Sequence, residues 1–508
     1  MNESRRATAR RAAAIGRALC VVLALLAAHV PARGEPADPP AAPPADAIPA
    51  TDATAAADPG DSHEATPAAA EGAPADATQG TPSVPPETLT VRAPTDRLRA
   101  DPTAFGSVLE APQWADRITT LTDLMREAVG VQVKSIGDTF STVSIRGSTA
   151  EQVMVYLDGV PLNRAAGGAV NLADIPLAQV ERIEVYRGMT PASLPEASIG
   201  GAIVITTRGA QGPASGDGWI SAGSYHSGEV SAGYGEEKGR GGWRVAADGA
   251  TSDGDFPFFD NNGTPDNPAD DEVTPRLNND FTRGHALARG HLRAGETELT
   301  FTLDAFRREQ GVSGIDALQF GESRLDTRRL LLSAGAERAG LLSGRLVLRG
   351  ALAWHDEHQQ FDGDGPGAAF AQSSDNTLGS TSLSGGGTLV AGAHQAWNVL
   401  ASVRHETADL HDTSPAGGDI GFATRLVTGA TLEDQIVLAA GRAQIVPTLR
   451  YERTASDMDP GPAAGVLASD VDTSALTGRI GARGDLSEGW SLRGNAGTYE
   501  RIPDFTEL

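Results

Sequence analysis

Residues Thr297–Phe306 read T-E-L-T-F-T-L-D-A-F. Successive side chains of an extended strand point to opposite sides. Leu299, Phe301, Leu303 and Ala305 therefore share one face, and Thr300, Thr302 and Asp304 share the other. This alternation runs for about the ten residues that a tilted membrane-crossing strand needs. Arg345–Trp354 repeats it, with Leu346, Leu348, Leu352 and Trp354 against Arg345 and Arg349, and Trp397–Val403 repeats it again. Gly- and Asp-rich connections of alternating length separate such segments. Glu236–Gly242 is short, whereas Ser252–Asp280, Gly363–Thr377 and Ala455–Asp472 are long and acidic. Short turns at one rim and long loops at the other describe an antiparallel outer-membrane β-barrel. Taken alone, residues 210–508 also leave a soluble β-sandwich or β-helix open.

The chain has 508 residues, enough for more than one domain, and a formal net charge of -25. An acidic chain repels phosphate backbones, so nucleic acid is not an expected partner. Residues 1–34 read as an export signal: Arg5, Arg6, Arg10, Arg11 and Arg17 precede the apolar run Ala18–Ala28, and cleavage fits after Ala32 or Gly34. The single cysteine, Cys20, lies inside that segment. The mature chain is thus expected to carry no disulfide, thiol nucleophile or cysteine metal site. Nowhere do 18 apolar residues run together, which excludes a spanning helix and leaves barrel strands, whose alternating faces hide from hydropathy windows.

Residues 35–86 are dominated by Ala, Pro, Asp and Thr and are expected to be disordered. Residues 87–117 are read as a short β-prone heptapeptide, Glu87-Thr88-Leu89-Thr90-Val91-Arg92-Ala93, and a linker. Residues 118–209 are read as a small α+β domain. Thr120 suits a helix N-cap, with Leu121, Leu124, Met125 and Ala128 at helical spacing and Gly130 ending the helix. Val131–Lys134, Thr142–Arg146, Val153–Leu157, Gln179–Arg187 and Ile203–Thr207 read as strands, with Ile183 and Val185 inward and Arg182 and Glu184 outward. Asp158-Gly159 is a turn.

Five segments in this domain carry a resemblance. Leu121–Val133 (L-T-D-L-M-R-E-A-V-G-V-Q-V), Ser144-Ile-Arg-Gly147, Val155–Leu162 (V-Y-L-D-G-V-P-L), Ile175–Gly188 (I-P-L-A-Q-V-E-R-I-E-V-Y-R-G) and Ser198–Thr207 (S-I-G-G-A-I-V-I-T-T) resemble, in order, the plug motifs of the TonB-dependent outer-membrane receptors. Arg276-Leu-Asn-Asn279 and Gly497–Leu508 (G-T-Y-E-R-I-P-D-F-T-E-L) are similar to that family's barrel. The resemblance implies a mainly β chain: an N-terminal α+β plug followed by an antiparallel transmembrane barrel. Residues 210–508 supply about 12 to 14 strands at ten residues each, against about 22 in the family, so the chain is read as C-terminally incomplete.

It further implies active import of a scarce ligand across the bacterial outer membrane, with no enzymatic activity. The cargo is a siderophore–iron complex first, or cobalamin, haem or a glycan. Glu87–Ala93 is similar to the TonB box, the strand offered to the C-terminal domain of TonB. The other expected partners are outer-membrane lipid and the small-molecule ligand, with the protein acting as a monomer. Arg146, Arg182, Glu184 and Arg187 are the candidate plug contacts to the barrel, with Glu500 and Glu507 as partners there.

Loop residues Phe256, Phe258 and Phe259 are candidate ligand contacts. Asp253, Asp255, Asp260, Asp270 and Asp271 are weak candidates for Ca²⁺, although their spacing matches no fixed metal motif; otherwise no cofactor is expected. His355 and His358, three apart, fall on opposite faces of a strand. The chain has no G-x-S-x-G, H-E-x-x-H or P-loop. A passive porin-like channel and a sensing receptor without transport are the alternatives.

Overall fold

The computed structural model describes residues 103–500 and Phe505, apart from 115–116, 119, 137–139, 165, 189, 197, 265, 316–317, 320, 364–371, 415–416, 462–468 and 488. The expected export signal, the Pro/Ala tail, the heptapeptide 87–93 and Glu507 lie outside the described residues.

The first domain contains strand β1 (Gly106–Glu110), helix α1 (Leu121–Arg126), a hairpin of β2 (Val131–Ile136) and β3 (Phe140–Ile145), then β4 (Val153–Leu157), β5 (Val160–Pro161), β6 (Val180–Arg187) and β7 (Gly201–Thr207). Five strands form one sheet in the order β1-β6-β7-β4-β5, in which only the β4·β7 pair is parallel. At the start of α1, the Thr120 hydroxyl accepts from the Asp123 amide at 3.1 Å, a cap worth about 1 kcal/mol. The helix buries Leu121, Leu124 and Met125 against Val143, Ile145, Ile183, Val185, Ile203 and Ile205. Burying a side chain of this kind contributes roughly 1.5–3 kcal/mol.

Two expectations need correction. The domain starts before Ile118, because β1 adds to the sheet edge by pairing with β6. Its five residues carry too few apolar side chains to stand out from a linker, and only a partner strand far along the chain defines it. Glu184 does not face water either. It is buried on a second covered face of the sheet, beside Tyr186, and that face packs Ala104, Tyr156, Tyr186, Leu194 and Ala202 together.

The pair Gly200-Gly201 is required where β7 begins. Gly201 has φ 125°, and a Cβ there would collide with the Tyr186 carbonyl oxygen. A Cβ at Gly200 would lie 2.6 Å from the Ser148 hydroxyl and 2.8 Å from the Gln152 carbonyl.

The rest of the chain is built from β8 (Ser215–Ala222), β9 (Gly228–Lys238), β10 (Gly241–Ser252), a loop hairpin of β11 (Pro257–Asp260) and β12 (Glu272–Pro275), β13 (Phe281–Ala294), β14 (Thr297–Gly311), a small hairpin of β15 (Gly314–Ile315) and β16 (Leu318–Gln319), β17 (Arg324–Gly340), β18 (Leu346–Asp362), β19 (Ser373–Val390), β20 (Gln395–Asp412), β21 (Gly418–Leu438), β22 (Ala443–Pro460), β23 (Ser469–Ser487) and β24 (Trp490–Gly497). Leaving out the two loop hairpins, these form one 13-stranded meander in chain order, antiparallel throughout, which agrees with the expected 12 to 14 strands. Among the described residues, β8 and β24 stand at opposite ends of the sheet and do not pair with each other.

The strands are longer than the sequence pattern implied: β13 has 14 residues and β21 has 21. The polar ends of strands look like loops when only alternation is read. Thus the stretch read as loop from Ala455 is strand as far as Pro460, and β19 begins at Ser373. Among the described residues no helix is long and apolar enough to cross a membrane.

Alternation along the sheet is inverted relative to a soluble protein. On β14, Phe301 is 51% exposed on the outer face, while Asp304 on the inner face is 2% exposed. Leu332, Leu352, Leu383, Val403, Leu449 and Leu476 are likewise exposed. Apolar side chains outside and charges inside form the wall of a membrane barrel.

Replacing Gly201→Ala forces a strained φ, costing about 1–3 kcal/mol before the carbonyl clash is counted. The expected result is faster tryptic cleavage within residues 103–207, read on stained gels against wild type; unchanged cleavage would show that the close approach is not required.

Candidate functional site at the seam between plug and barrel

The inner wall presents Asp304, Arg308, Arg329, His355, Glu357, Arg404, Glu406, Arg425, Glu433 and Arg450, all buried. Buried charges are costly unless paired. Part of the pairing lies within the wall. The two ring nitrogens of His285 lie 2.9 Å from Asp248 and 2.6 Å from Asp304, and Arg329 reaches Asp304 at 3.4 Å. Arg479 pairs with Glu433 at 2.9 Å.

Further partners come from the first domain, which sits against the inner face of the wall. Arg308 contacts Asp174 at 3.1 Å, and Arg329 donates to the carbonyl of Asp174 at 3.3 Å. Arg164 of the first domain reaches Glu357 at 3.2 Å. Arg289 lies 3.4 Å from Asp158 and also donates to the Thr207 carbonyl. Asp158 itself ties the end of β4 to the end of β7, accepting from the Thr207 amide at 3.0 Å and its hydroxyl at 2.5 Å.

The densest contact is with the segment Thr190–Glu196. Arg404 on β20 pairs with Glu196 at 2.8 Å and with Glu406 at 2.6 Å. Arg450 on β22 donates to the Thr190 hydroxyl at 3.3 Å and to the carbonyls of Pro191 at 3.4 Å and Leu194 at 2.8 Å. Burial drives the Glu196 carboxyl above the ordinary carboxylate range, and the Arg404 guanidinium opposes that shift. Nearby, burial pushes the Tyr156 hydroxyl up as well. One face of the plug thus sits on a wall of guanidinium groups that bind a carboxylate and a series of main-chain carbonyls.

These are not the residues expected to make the contact. Arg146 stacks over Phe105 at 5.6 Å, Arg187 donates to the Val129 carbonyl at 2.7 Å, and Arg182 pairs with Glu184 at 3.0 Å, with the Tyr186 hydroxyl donating to Glu184 at 2.6 Å. All of these contacts are internal to the plug. Glu500 is exposed. The plug motifs show where the domain lies but not where its outer face meets the wall. The signal available was the alternation itself, which already placed Asp304 on the polar face of β14.

Of the loop candidates, Phe256 meets Tyr225 edge-on at 6.2 Å, Phe258 lies under Arg276 at 4.8 Å, and Phe259 is exposed. Among the described residues, no three His, Cys, Asp or Glu side chains converge as a metal site. The loop carboxylates have separate partners: Asp253 meets His226 at 2.8 Å, Asp260 accepts from the Asn262 amide at 2.9 Å, and Asp270 accepts from the Thr264 hydroxyl at 2.7 Å. His355 is buried on the inner face, and His358 lies on the other face against Asp375 at 2.7 Å.

Arg404→Met leaves Glu196 buried without its strongest counter-charge. Breaking one side of a buried pair costs about 3–5 kcal/mol. Hydrogen exchange of residues 190–196 is expected to accelerate in this variant and to return towards wild type in Arg404→Met/Glu196→Gln. Equal exchange in all three proteins would remove the pair from the seam.

Residues 102–202 match the TonB-dependent Receptor Plug Domain family. Over 91 residues the chain is 40% identical to the vitamin B12 transporter BtuB of Vibrio cholerae serotype O1, a match covering 18% of this chain and 15% of that protein. Among solved structures, the chain is similar to a mutant of the ferric enterobactin receptor PfeA of Pseudomonas aeruginosa, with a TM-score of 0.63 at 17% identity over 81% of this chain and 63% of that one. It is also similar to the copper transporter OprC, with a TM-score of 0.62 at 16% identity over 80% and 65%, and to the unliganded ferric citrate transporter FecA, with a TM-score of 0.63 at 15% identity over 78% and 62%. The chain therefore spans less than two thirds of the length of these relatives, and the structural likeness concerns the fold. Residues 102–202 are thus a TonB-dependent receptor plug domain by sequence, and the chain as a whole shares the plug-and-barrel fold of these structures.

Proposed function

We propose that this protein imports a scarce small molecule across the bacterial outer membrane, with work delivered through TonB. The observation that carries this reading is a plug held against the inner wall by separate ion pairs and hydrogen bonds. A net contribution of about 0.5–1.5 kcal/mol per neutral hydrogen bond, and more for charged ones, makes such a seam stable at rest and breakable contact by contact under load. A passive channel has no use for a stopper of this kind.

Glu87–Ala93 is proposed as the TonB box. Its Leu89 and Val91 alternate with polar residues and suit addition as a strand to a partner sheet. Twelve residues separate Ala93 from Gly106, the start of β1. Fully extended they reach about 40 Å between the box and β1, the first strand of the plug. Load on the box would reach β1, the edge strand of the plug sheet.

A siderophore–iron complex is proposed as cargo, because relatives in fold include a ferric enterobactin receptor and a ferric citrate transporter. Cobalamin is the second reading, favoured by the 40% identity of the plug to a vitamin B12 transporter. Export to the outer membrane and action as a monomer accompany this reading.

Deleting residues 87–93 separates coupled import from diffusion. The expected result is uptake of radiolabelled iron complex, or of cobalamin, falling to the level of cells lacking the gene while the protein remains in the outer membrane. Unchanged uptake would make the protein a passive pore.

A further inference from the structure

Strand β23 carries three glycines, and one of them differs from the others. A Cβ at Gly478 or Gly484 would meet nothing within 4 Å. A Cβ at Gly481 would run into the Thr103 hydroxyl and lie 2.7 Å from the Thr103 Cβ. Gly481 does not adopt positive φ, so the course of the backbone does not ask for glycine there; the fit of Thr103 does. Gly481 lies between Val446 of β22 and Asn495 of β24. Thr103 is fully buried in this notch, and the Asn495 Nδ2 lies 3.5 Å from its carbonyl. Val446 is four residues before Arg450 on β22, so the notch sits about 13 Å nearer the short-turn rim than Arg450 does.

The residues after Thr103 tie this notch to the seam. Ala104 is buried in the cluster on the second face of the plug sheet, with Tyr156, Tyr186, Leu194 and Ala202. The Phe105 carbonyl then accepts from the Arg187 amide at 3.0 Å, where the β1·β6 ladder begins. Leu194 is held from two sides. Its side chain belongs to the same cluster as Ala104, and its carbonyl accepts from Arg450 at 2.8 Å. Its amide donates to the Pro191 carbonyl at 3.0 Å, closing a turn whose carbonyls at Pro191 and Leu194 both face Arg450. A residue withdrawn from a packed cluster leaves a void, and the side chains lining it lose their contacts. Drawing Ala104 out therefore removes support from Leu194, the residue that presents this turn to the wall.

We propose that Thr103 and Ala104 form a latch through which a pull on the N-terminal segment frees Thr190–Glu196 from the wall. Thr103, seated against Gly481, holds Ala104 in the cluster. Ala104 supports Leu194, and Leu194 offers its carbonyl to Arg450. Thr103 is thus a positioning residue for the seam. The latch rests on the reading that Glu87–Ala93 is pulled through TonB, and it adds an order of events. Nine residues separate Ala93 from Thr103. Load from the box meets the notch first, the cluster second and the β1·β6 ladder third. The seam therefore loosens at the start of a pull, before the plug sheet itself is opened.

The test reads hydrogen exchange of residues 190–196 in the full chain in detergent micelles, where no TonB is present. Gly481→Ala drives Thr103 from the notch and should accelerate that exchange by about fivefold or more. Exchange of β14 and β17 should stay unchanged, as the mark of a folded wall. Adding Thr103→Gly moves the bulk from plug to wall, removes the collision and should return the exchange to the wild-type rate. Gly484→Ala, on the same strand with nothing near its Cβ, should leave the exchange unchanged. Leu194→Ala cuts the link to the cluster, so adding Gly481→Ala to it should change nothing further. Equal exchange in wild type and Gly481→Ala, acceleration that Thr103→Gly does not reverse, or additive effects of Gly481→Ala and Leu194→Ala would overturn the latch and leave import standing. Uptake that survives deletion of residues 87–93 would instead remove the pull, and with it the import reading, whatever the exchange shows.

Discussion

A strand that crosses hydrocarbon cannot leave its amides and carbonyls unpaired, since each such group costs several kcal/mol. Among the described residues, the 13-stranded meander meets this requirement along every internal strand by pairing with the strand before and the strand after. Much else follows from that pairing. Because a strand has two faces, a wall whose outer face meets lipid must turn its other face inward. Here that inner face is charged, with Asp304, Arg308, Arg404, Glu406 and Arg450 among its buried residues. Charges placed there need partners, and the plug supplies several of them. The stopper is thus electrostatically part of the wall, as well as an object that fills it.

The plug is organised to meet this demand. Its sheet has a conventional apolar core on one side, where α1 packs on Ile183, Val185, Ile203 and Ile205. The other side collects Tyr156, Tyr186 and Ala202 beneath the segment Thr190–Glu196 that Arg404 and Arg450 hold. Two of the three plug groups that Arg450 binds are main-chain carbonyls, so this part of the seam depends on the shape of the segment more than on its side chains. Glu196 is the exception, a carboxylate whose burial is tolerable while Arg404 stands beside it.

Much of this architecture was legible in the residues, and the reason differs between the two parts. The barrel was legible because period-two alternation is a local property: Thr297–Phe306 announces its own two faces. The plug was legible because five short motifs occur in order. The helix Leu121–Arg126 carries its own cap in Thr120, and the turn at Asp158-Gly159 adopts positive φ at both residues. What escaped was non-local. β1 is defined by pairing with β6, and the Glu196–Arg404 pair joins residues 208 positions apart. Arg146 and Arg187 attracted attention because they belong to motifs, yet their contacts at Phe105 and Val129 are internal to the plug. Nothing local distinguishes an arginine that braces its own domain from one that grips another.

The segment ending in Glu196 rests against the inner wall, and under the import function proposed above it leaves that wall for cargo to pass. A Cβ at Gly429 on β21 would lie 2.9 Å from the Ser402 hydroxyl, which can turn aside, and 3.4 Å from the Pro195 carbonyl, so Gly429 and Pro195 are neighbours across the seam. Cys20 is the only native cysteine, and it lies in the expected export signal. The most direct measurement is therefore Pro195→Cys/Gly429→Cys, oxidised in intact cells and followed by gel mobility alongside ligand uptake. The account predicts a disulfide that forms readily, stops uptake and releases it again on reduction. Failure of the two cysteines to join, or undiminished uptake through a fully cross-linked protein, would contradict it.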